Sequence, residues 1–218
     1  MKSKLFFSSI IILSMALLLS LTSCSKDEKE DKPVKKDKYT QEILQERAYK
    51  DSIMHYDPYS PFNRDPKAIY APLKYYDPNP EFVFKSKFHK YEKTDTVEVS
   101  GTRGEIRKVI REGYLNLNYK GKTYKINVYK GFSQTGDPYY SIWFTDKTTG
   151  EETYGVGRYL EFSLDPDSNH VYTIDFNKAY NPYCAYSSEY TCPIPREEDY
   201  LDFAIRAGEK NFHTHDKN

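Results

Sequence analysis

Cys184 and Cys192 are the only cysteines beyond residue 24, and seven residues separate them. Two thiols this close offer three chemistries. In an exported chain the default is a disulfide that closes the loop, worth about 2 to 3 kcal/mol in the chain-entropy view. The second is a metal site completed by His170, His213 or His215. The spacing lacks the short Cys-to-Cys knuckle of zinc sites, so no metal is expected. The third makes Cys184 a nucleophile. It would need a base, for which His170 or Asp175 could serve, and an oxyanion donor, and no local pattern marks either. A reactive thiol on an oxidising surface is also exposed to oxidation.

The polar residues around this loop are the other candidates for chemistry. Arg158 starts a strand just behind Gly155 and Gly157. Asp175 and Asn177 share one strand face, opposite Tyr172, Ile174 and Phe176, while Asn181 follows in the loop and Glu209 lies near the C-terminus. A polar face at the end of a hairpin suits a ligand pocket. The plainer reading is that Asp and Asn hydrogen-bond loop backbone, as they do in Asx turns. The chain has no Gly-rich phosphate loop, metalloprotease helix motif or nucleophile elbow. No cofactor is therefore assigned from the sequence.

The elements that must position these residues are mostly strands. Tyr39 to Met54 reads as one helix, with Ile43, Leu44 and Ala48 on one side, Glu42, Glu46 and Lys50 on another, and Thr40 as N-cap. Six prolines between Pro58 and Pro80 predict an extended segment draped on the core. The period then becomes two. Phe82, Phe84 and Phe88 mark a strand, Val97 and Val99 a second, and Tyr140, Ile142 and Phe144 another. Residues 114 to 129 read as a hairpin around Lys120-Gly121. Leu160, Phe162 and Leu164, then Tyr172, Ile174 and Phe176, read as a last hairpin around Asp165 to Asn169. The fold class expected is mostly β, a largely antiparallel barrel or sandwich with one N-terminal helix.

The N-terminus addresses the chain. Lys2 and Lys4 precede an apolar run from Leu5 to Leu21, and Leu21-Thr22-Ser23-Cys24 has the form of a bacterial lipobox. Residues 1–23 are read as a signal peptide, and Cys24 as the lipidated first residue of the mature chain. Three acyl chains exceed what stable anchoring needs. Residues 24–38 form a charged tether that cannot bury enough apolar surface to fold. Residues 39–212 are expected to be one domain and 213–218 a frayed tail. Lys26-Asp27-Glu28 resembles the export signal that sends Bacteroidetes lipoproteins to the outer face of the outer membrane; the periplasmic face is the alternative. The 32 basic and 32 acidic residues give no net charge, which argues against nucleic acid as a partner. The membrane, through the lipid, is an expected partner, and the sequence names no particular protein or small-molecule partner. The 22 Tyr and 12 Phe favour strands and half-wet burial over a leucine core.

Several motifs carry a family resemblance. They are Gly150-Glu151-Glu152-Thr153-Tyr154-Gly155, Gly157-Arg158-Tyr159, Ile174 to Pro182, Cys184-Ala185-Tyr186, Thr191-Cys192-Pro193 and Ala207-Gly208-Glu209-Lys210. From about Tyr39 to Lys210 the chain resembles the domain-of-unknown-function family numbered 1684. It departs at Pro182-Tyr183, where two prolines are usual, and at Pro193-Ile194-Pro195-Arg196, where the usual run is richer in proline. The resemblance implies kinship but no activity. Two functional expectations remain open. One is a non-catalytic binding or scaffolding module on the envelope. The other is an enzyme or small-ligand site around Arg158, Asp175, Asn177 and Cys184.

Overall fold

Asp37 starts the first helix. Its carboxylate accepts the Thr40 amide and the Thr40 hydroxyl, both at 2.9 Å, so Asp37 and not Thr40 is the N-cap. Helix α1 runs Lys38–Tyr56 and stops where Pro58 follows Asp57. Its buried residues are Ile43, Arg47 and Met54. The inward stripe thus contains a guanidinium, and Ala48, expected inside, is exposed. A four-residue helix α2, Pro61–Arg64, is capped by Ser60. This computed structural model describes residues 37–212 apart from Gln134. The signal peptide, Cys24, nearly all of the tether and the tail with His213 and His215 lie outside the described residues.

The Pro-rich segment after α2 is extended and tied down, as expected. Asp51 of α1 accepts the Tyr70 hydroxyl and the Leu73 amide at 2.8 Å each. The Lys210 amide donates to Lys74 O at 2.8 Å, and the Tyr76 amide to Gly208 O at 3.0 Å. This segment therefore clasps the end of the domain.

Eight strands follow: β1 Val83–Lys87, β2 His89–Ser100, β3 Ile106–Tyr119, β4 Lys122–Phe132, β5 Pro138–Asp146, β6 Arg158–Phe162, β7 Val171–Asp175 and β8 Tyr200–Leu201. Strands β2 to β6 form an antiparallel meander, and β8 adds to β5 in parallel. The β3–β4 turn is the expected one. Lys120 (φ 48°) and Gly121 (φ 77°) both take positive φ, as a two-residue turn matched to strand twist requires. Strand β7 does not pair with β6. It pairs with β1 as a separate two-stranded sheet, from Val83 opposite Asp175 to Lys87 opposite Val171. The expected β6–β7 hairpin is therefore corrected. Alternation shows which face a strand buries and says nothing of its partner.

The two sheets make an open, sandwich-like body without a closed barrel, with cores on both faces of the large sheet. One core holds Phe84, Leu115, Leu117, Ile126, Ile142, Phe144, Ile174 and Phe176 between the sheets. The other holds Val97, Val99, Val109, Tyr129, Trp143 and Tyr159, with Cys192, under the irregular C-terminal segment. Tyr129 and Trp143 stack there at 4.7 Å. A register shift at Arg111–Gly113 lets β3 serve both faces: Val109 faces one core, and Leu115 and Leu117 the other. Among the described residues no helix is long and apolar enough to cross a membrane.

Candidate functional site

From Phe176 to Phe212 the chain has three 3-10 turns and, apart from isolated bridges, no strand but the two residues of β8. Its backbone must find partners outside regular ladders. Arg158, at the start of β6, supplies several. It is 1% exposed. Its Nη2 donates to Asp146 Oδ2 at 2.7 Å and to Ile205 O at 2.8 Å. Its Nη1 donates to Ala207 O and, at 3.4 Å, to Glu209 O. Asp146 in turn takes the Thr148 amide and hydroxyl at 2.6 Å each. One guanidinium thus fixes three alternate carbonyls of the last extended segment, as a neighbouring strand would.

Asn177 does the same for the Pro-rich segment. Its Oδ1 accepts the Asn79 amide at 2.7 Å and its Nδ2 donates to Asn79 O at 2.8 Å. Asp175 caps the 3-10 turn Phe176–Lys178 by accepting the Asn177 amide at 2.9 Å. The Tyr39 hydroxyl donates to both Asp175 oxygens, at 3.1 and 3.0 Å. Burial, then the Asp175 charge, pushes that phenol above its usual range.

Glu209 is fully buried. It accepts the Asn181 amide at 3.2 Å, Asn181 Nδ2 at 3.0 Å, Lys50 Nζ at 3.0 Å and the Tyr186 hydroxyl. Burial, with Glu209 next to it, holds the Tyr186 phenol well above its usual range. Gly208 precedes it at φ 76°; a Cβ there would lie 2.6 Å from Phe176 O, so glycine is required.

The sequence-marked residues therefore fall into three clips. Arg158 joins β5 and β6 to the last segment. Asp175 with Asn177 joins β7 to α1 and to the Pro-rich chain. Asn181 with Glu209 joins the loop to α1. None of the three clips includes Cys184. The sequence reading missed Arg47, whose Nη1 and Nη2 donate to Tyr76 O at 2.7 Å and Asn177 O at 3.0 Å. A cation four residues after Ile43, on the helix's buried stripe, was the available signal. Lys50, placed with Glu42 and Glu46 on the polar side, instead reaches the buried Glu209 at 3.0 Å.

Cys184 and Cys192 are neighbours and both are free thiols in this structure. The Cys184 amide donates to Cys192 Sγ at 3.4 Å, and the Tyr154 hydroxyl donates to Cys184 O at 3.1 Å with Cys184 Sγ at 3.7 Å. A thiol–thiol hydrogen bond from Cys192, opposed by burial and aided by bonds from Tyr154 and Thr102, lowers the Cys184 pKa to about 7. Cys184 and burial together push Cys192 up. The two bases weighed for Cys184 have other partners: His170 pairs with Asp165 at 3.4 Å, and Asp175 is engaged as above. Among the described residues no cluster of three or more His, Cys, Asp or Glu could hold a metal ion.

A groove lies beside the clips. It has a volume of about 380 Å³ and runs between β6 and β7, beneath α1. Its floor is Ile142, Leu160, Phe162 and Ile174; Ile43 and Tyr39 of α1 cover it. The exposed Glu42, Glu46, Glu161 and Lys178 and the buried Asp175 also line it. A smaller recess of about 140 Å³ shares Ile43, Glu46 and Lys178 with it and is lined by Arg47, Lys50 and Tyr75. Arg47 Nε and the Tyr75 hydroxyl are buried without a hydrogen-bond partner.

A family model described as "Protein of unknown function (DUF1684)" matches residues 68–210. The chain is also similar to an uncharacterized protein of Haloarcula marismortui whose structure was solved by solution NMR. The two are 28% identical; the match covers 78% of this chain and 92% of that one, with a TM-score of 0.57. No curated protein matches.

Proposed function

The chain belongs to the DUF1684 family, and on that premise we propose that it is a lipid-anchored cell-envelope domain that binds a small ligand and does not transform it. The anchor is acylated Cys24, the tether is the charged run that follows, and the outer face of the outer membrane is its destination. The lipobox and the Lys26-Asp27-Glu28 run support that address. The binding reading rests on one observation. The polar side chains that looked chemical are spent on main-chain clips, whereas the groove under α1 is walled, apolar-floored and within the usual range of small-ligand sites, about 300 to 1,000 Å³.

Two experiments test this. Labelled palmitate fed to growing cells should enter the polypeptide through Cys24, and a Cys24→Ser chain should stay unlabelled. Label absent from the native chain would remove the anchor. Native mass spectrometry of the intact chain in lipid nanodiscs, with and without reductant, should reveal a non-covalent small-molecule adduct. It also reports whether Cys184 and Cys192 have lost two hydrogens to form the expected disulfide.

A second reading has its own observation. Cys184 carries a lowered pKa beside a hydroxyl donor and a second thiol. That arrangement favours thiol chemistry in a chain kept reduced. Turnover-dependent labelling of Cys184 by an electrophilic substrate would move the reading from binding to catalysis.

A further inference from the structure

The binding reading leaves the ligand's chemistry open, and the groove's own walls narrow it. We infer that the groove between β6 and β7 takes a small organic cation, an ammonium group carried on a compact apolar body. This rests on the binding reading above and adds the class of ligand.

The cavity comes from topology. Strand β6 has β5 on one side, and its other edge makes only one bridge, Tyr159 with Tyr180. Strand β7 has turned away to pair with β1. Leu160, Phe162 and Ile174 belong to the core between the sheets, and beside them, beneath α1, a space is left unfilled. An apolar body of the ligand fills it.

The rim selects the charge. Four acidic residues, Glu42, Glu46, Glu161 and Asp175, and one basic residue, Lys178, line the groove. Lys178 is held by Glu46 at 2.8 Å, and Glu161 and Asp175 accept neutral hydroxyls, from Tyr180 and Tyr39. Glu42 has Lys38 at 3.5 Å, a side chain 91% exposed. The excess is negative, and an entering cation meets it at the edge of a low-dielectric floor, where such charges act more strongly than in open water. Tyr39 and Phe162 add aromatic faces of the kind that attract ammonium groups. Positive charge collects in the recess instead, at Arg47 and Lys50. An anion would choose that end, so the two ends predict opposite preferences.

The test uses three probes of one shape: benzyltrimethylammonium, benzyl alcohol and benzoate. Each is measured by equilibrium dialysis against the full chain in lipid nanodiscs, with empty nanodiscs as control. The cation should bind about tenfold or more tightly than the alcohol and weaken as sodium chloride rises. Glu42→Gln and Glu161→Gln, both at exposed positions, should each weaken the cation by roughly two- to fivefold and leave the alcohol unchanged. Equal binding of cation and alcohol would overturn the cation assignment and leave the binding reading standing. Tightest binding of benzoate, lost in Lys50→Gln, would overturn it in favour of an anion site in the recess. No binding of any probe would overturn the cation assignment and remove the groove as the basis of the binding reading.

Discussion

Two ion pairs of nearly equal length separate the two halves of this site. Arg158 and Asp146 meet at 2.7 Å with side chains 1% and 0% exposed. Lys178 and Glu46 meet at 2.8 Å with side chains 49% and 54% exposed. The first is a strut inside the clips, and the second lies on the rim of the groove. Equal geometry conceals unequal energetics, because the cost of leaving a charge unpaired depends on what replaces its partner. In the clips nothing can. At the rim, water does. The clips are therefore where the fold is held, and the groove, which shares Asp175 and Tyr39 with one of them, is where a ligand can enter beside exposed charges.

The largest expected effect breaks the strut. Arg158→Met should lose about 3 to 5 kcal/mol in urea unfolding, since Asp146 and the carbonyls of Ile205 and Ala207 stay buried without their donor. The fraction that still folds should bind the groove's ligand as before. A stable variant with lost binding would put Arg158 in the site and dissolve the contrast. Next in size is Asn177→Ala. It strands the Asn79 amide and carbonyl, both partly shielded, and should cost about 2 to 3 kcal/mol by the same measurement.

Much of the clip region's role was visible in the sequence as one of two readings. Asp175, Asn177 and Asn181 do bond loop backbone and its side chains, because an irregular segment rich in Pro cannot satisfy itself. The β3–β4 hairpin was legible from Lys120-Gly121, whose positive φ only a few residue types take easily. The groove was not legible. It exists because β7 pairs with β1 and not with β6, and a period-two pattern is identical for both partners. Arg47 was hidden for a related reason. A helical wheel sorts polar from apolar, whereas α1 packs on main-chain carbonyls that no ladder satisfies and so turns a guanidinium inward.

Cys184 offers a smaller effect that sharpens the same boundary. Its alkylation rate by iodoacetamide in the reduced chain should rise as pH passes about 7, whereas an ordinary thiol rises near 8.5. The sign follows from the lowered pKa: the thiolate forms earlier, so the reactive fraction at pH 7 is larger. Tyr154→Phe removes a hydroxyl donor to the sulfur and should move the midpoint upward. A profile unmoved by that change would mean that the Tyr154 hydroxyl does not tune Cys184. An alkylation-resistant chain that becomes reactive only after reductant would instead reveal the disulfide.

The smallest effect is expected at the rim, and it bears most directly on the contrast. Glu46→Gln should change unfolding free energy by no more than about 1 kcal/mol, and a double-mutant cycle with Lys178→Gln should return a coupling of about 0.2 to 1 kcal/mol. The reason is solvation. Either side chain, once released, reaches water from a half-exposed position and recovers most of what the pair gave it. A coupling well above 2 kcal/mol would mean that the rim is dry. The groove would then be an extension of the core, its carboxylates would be structural like Asp146, and the space beneath α1 would lose its claim to be a place for a ligand.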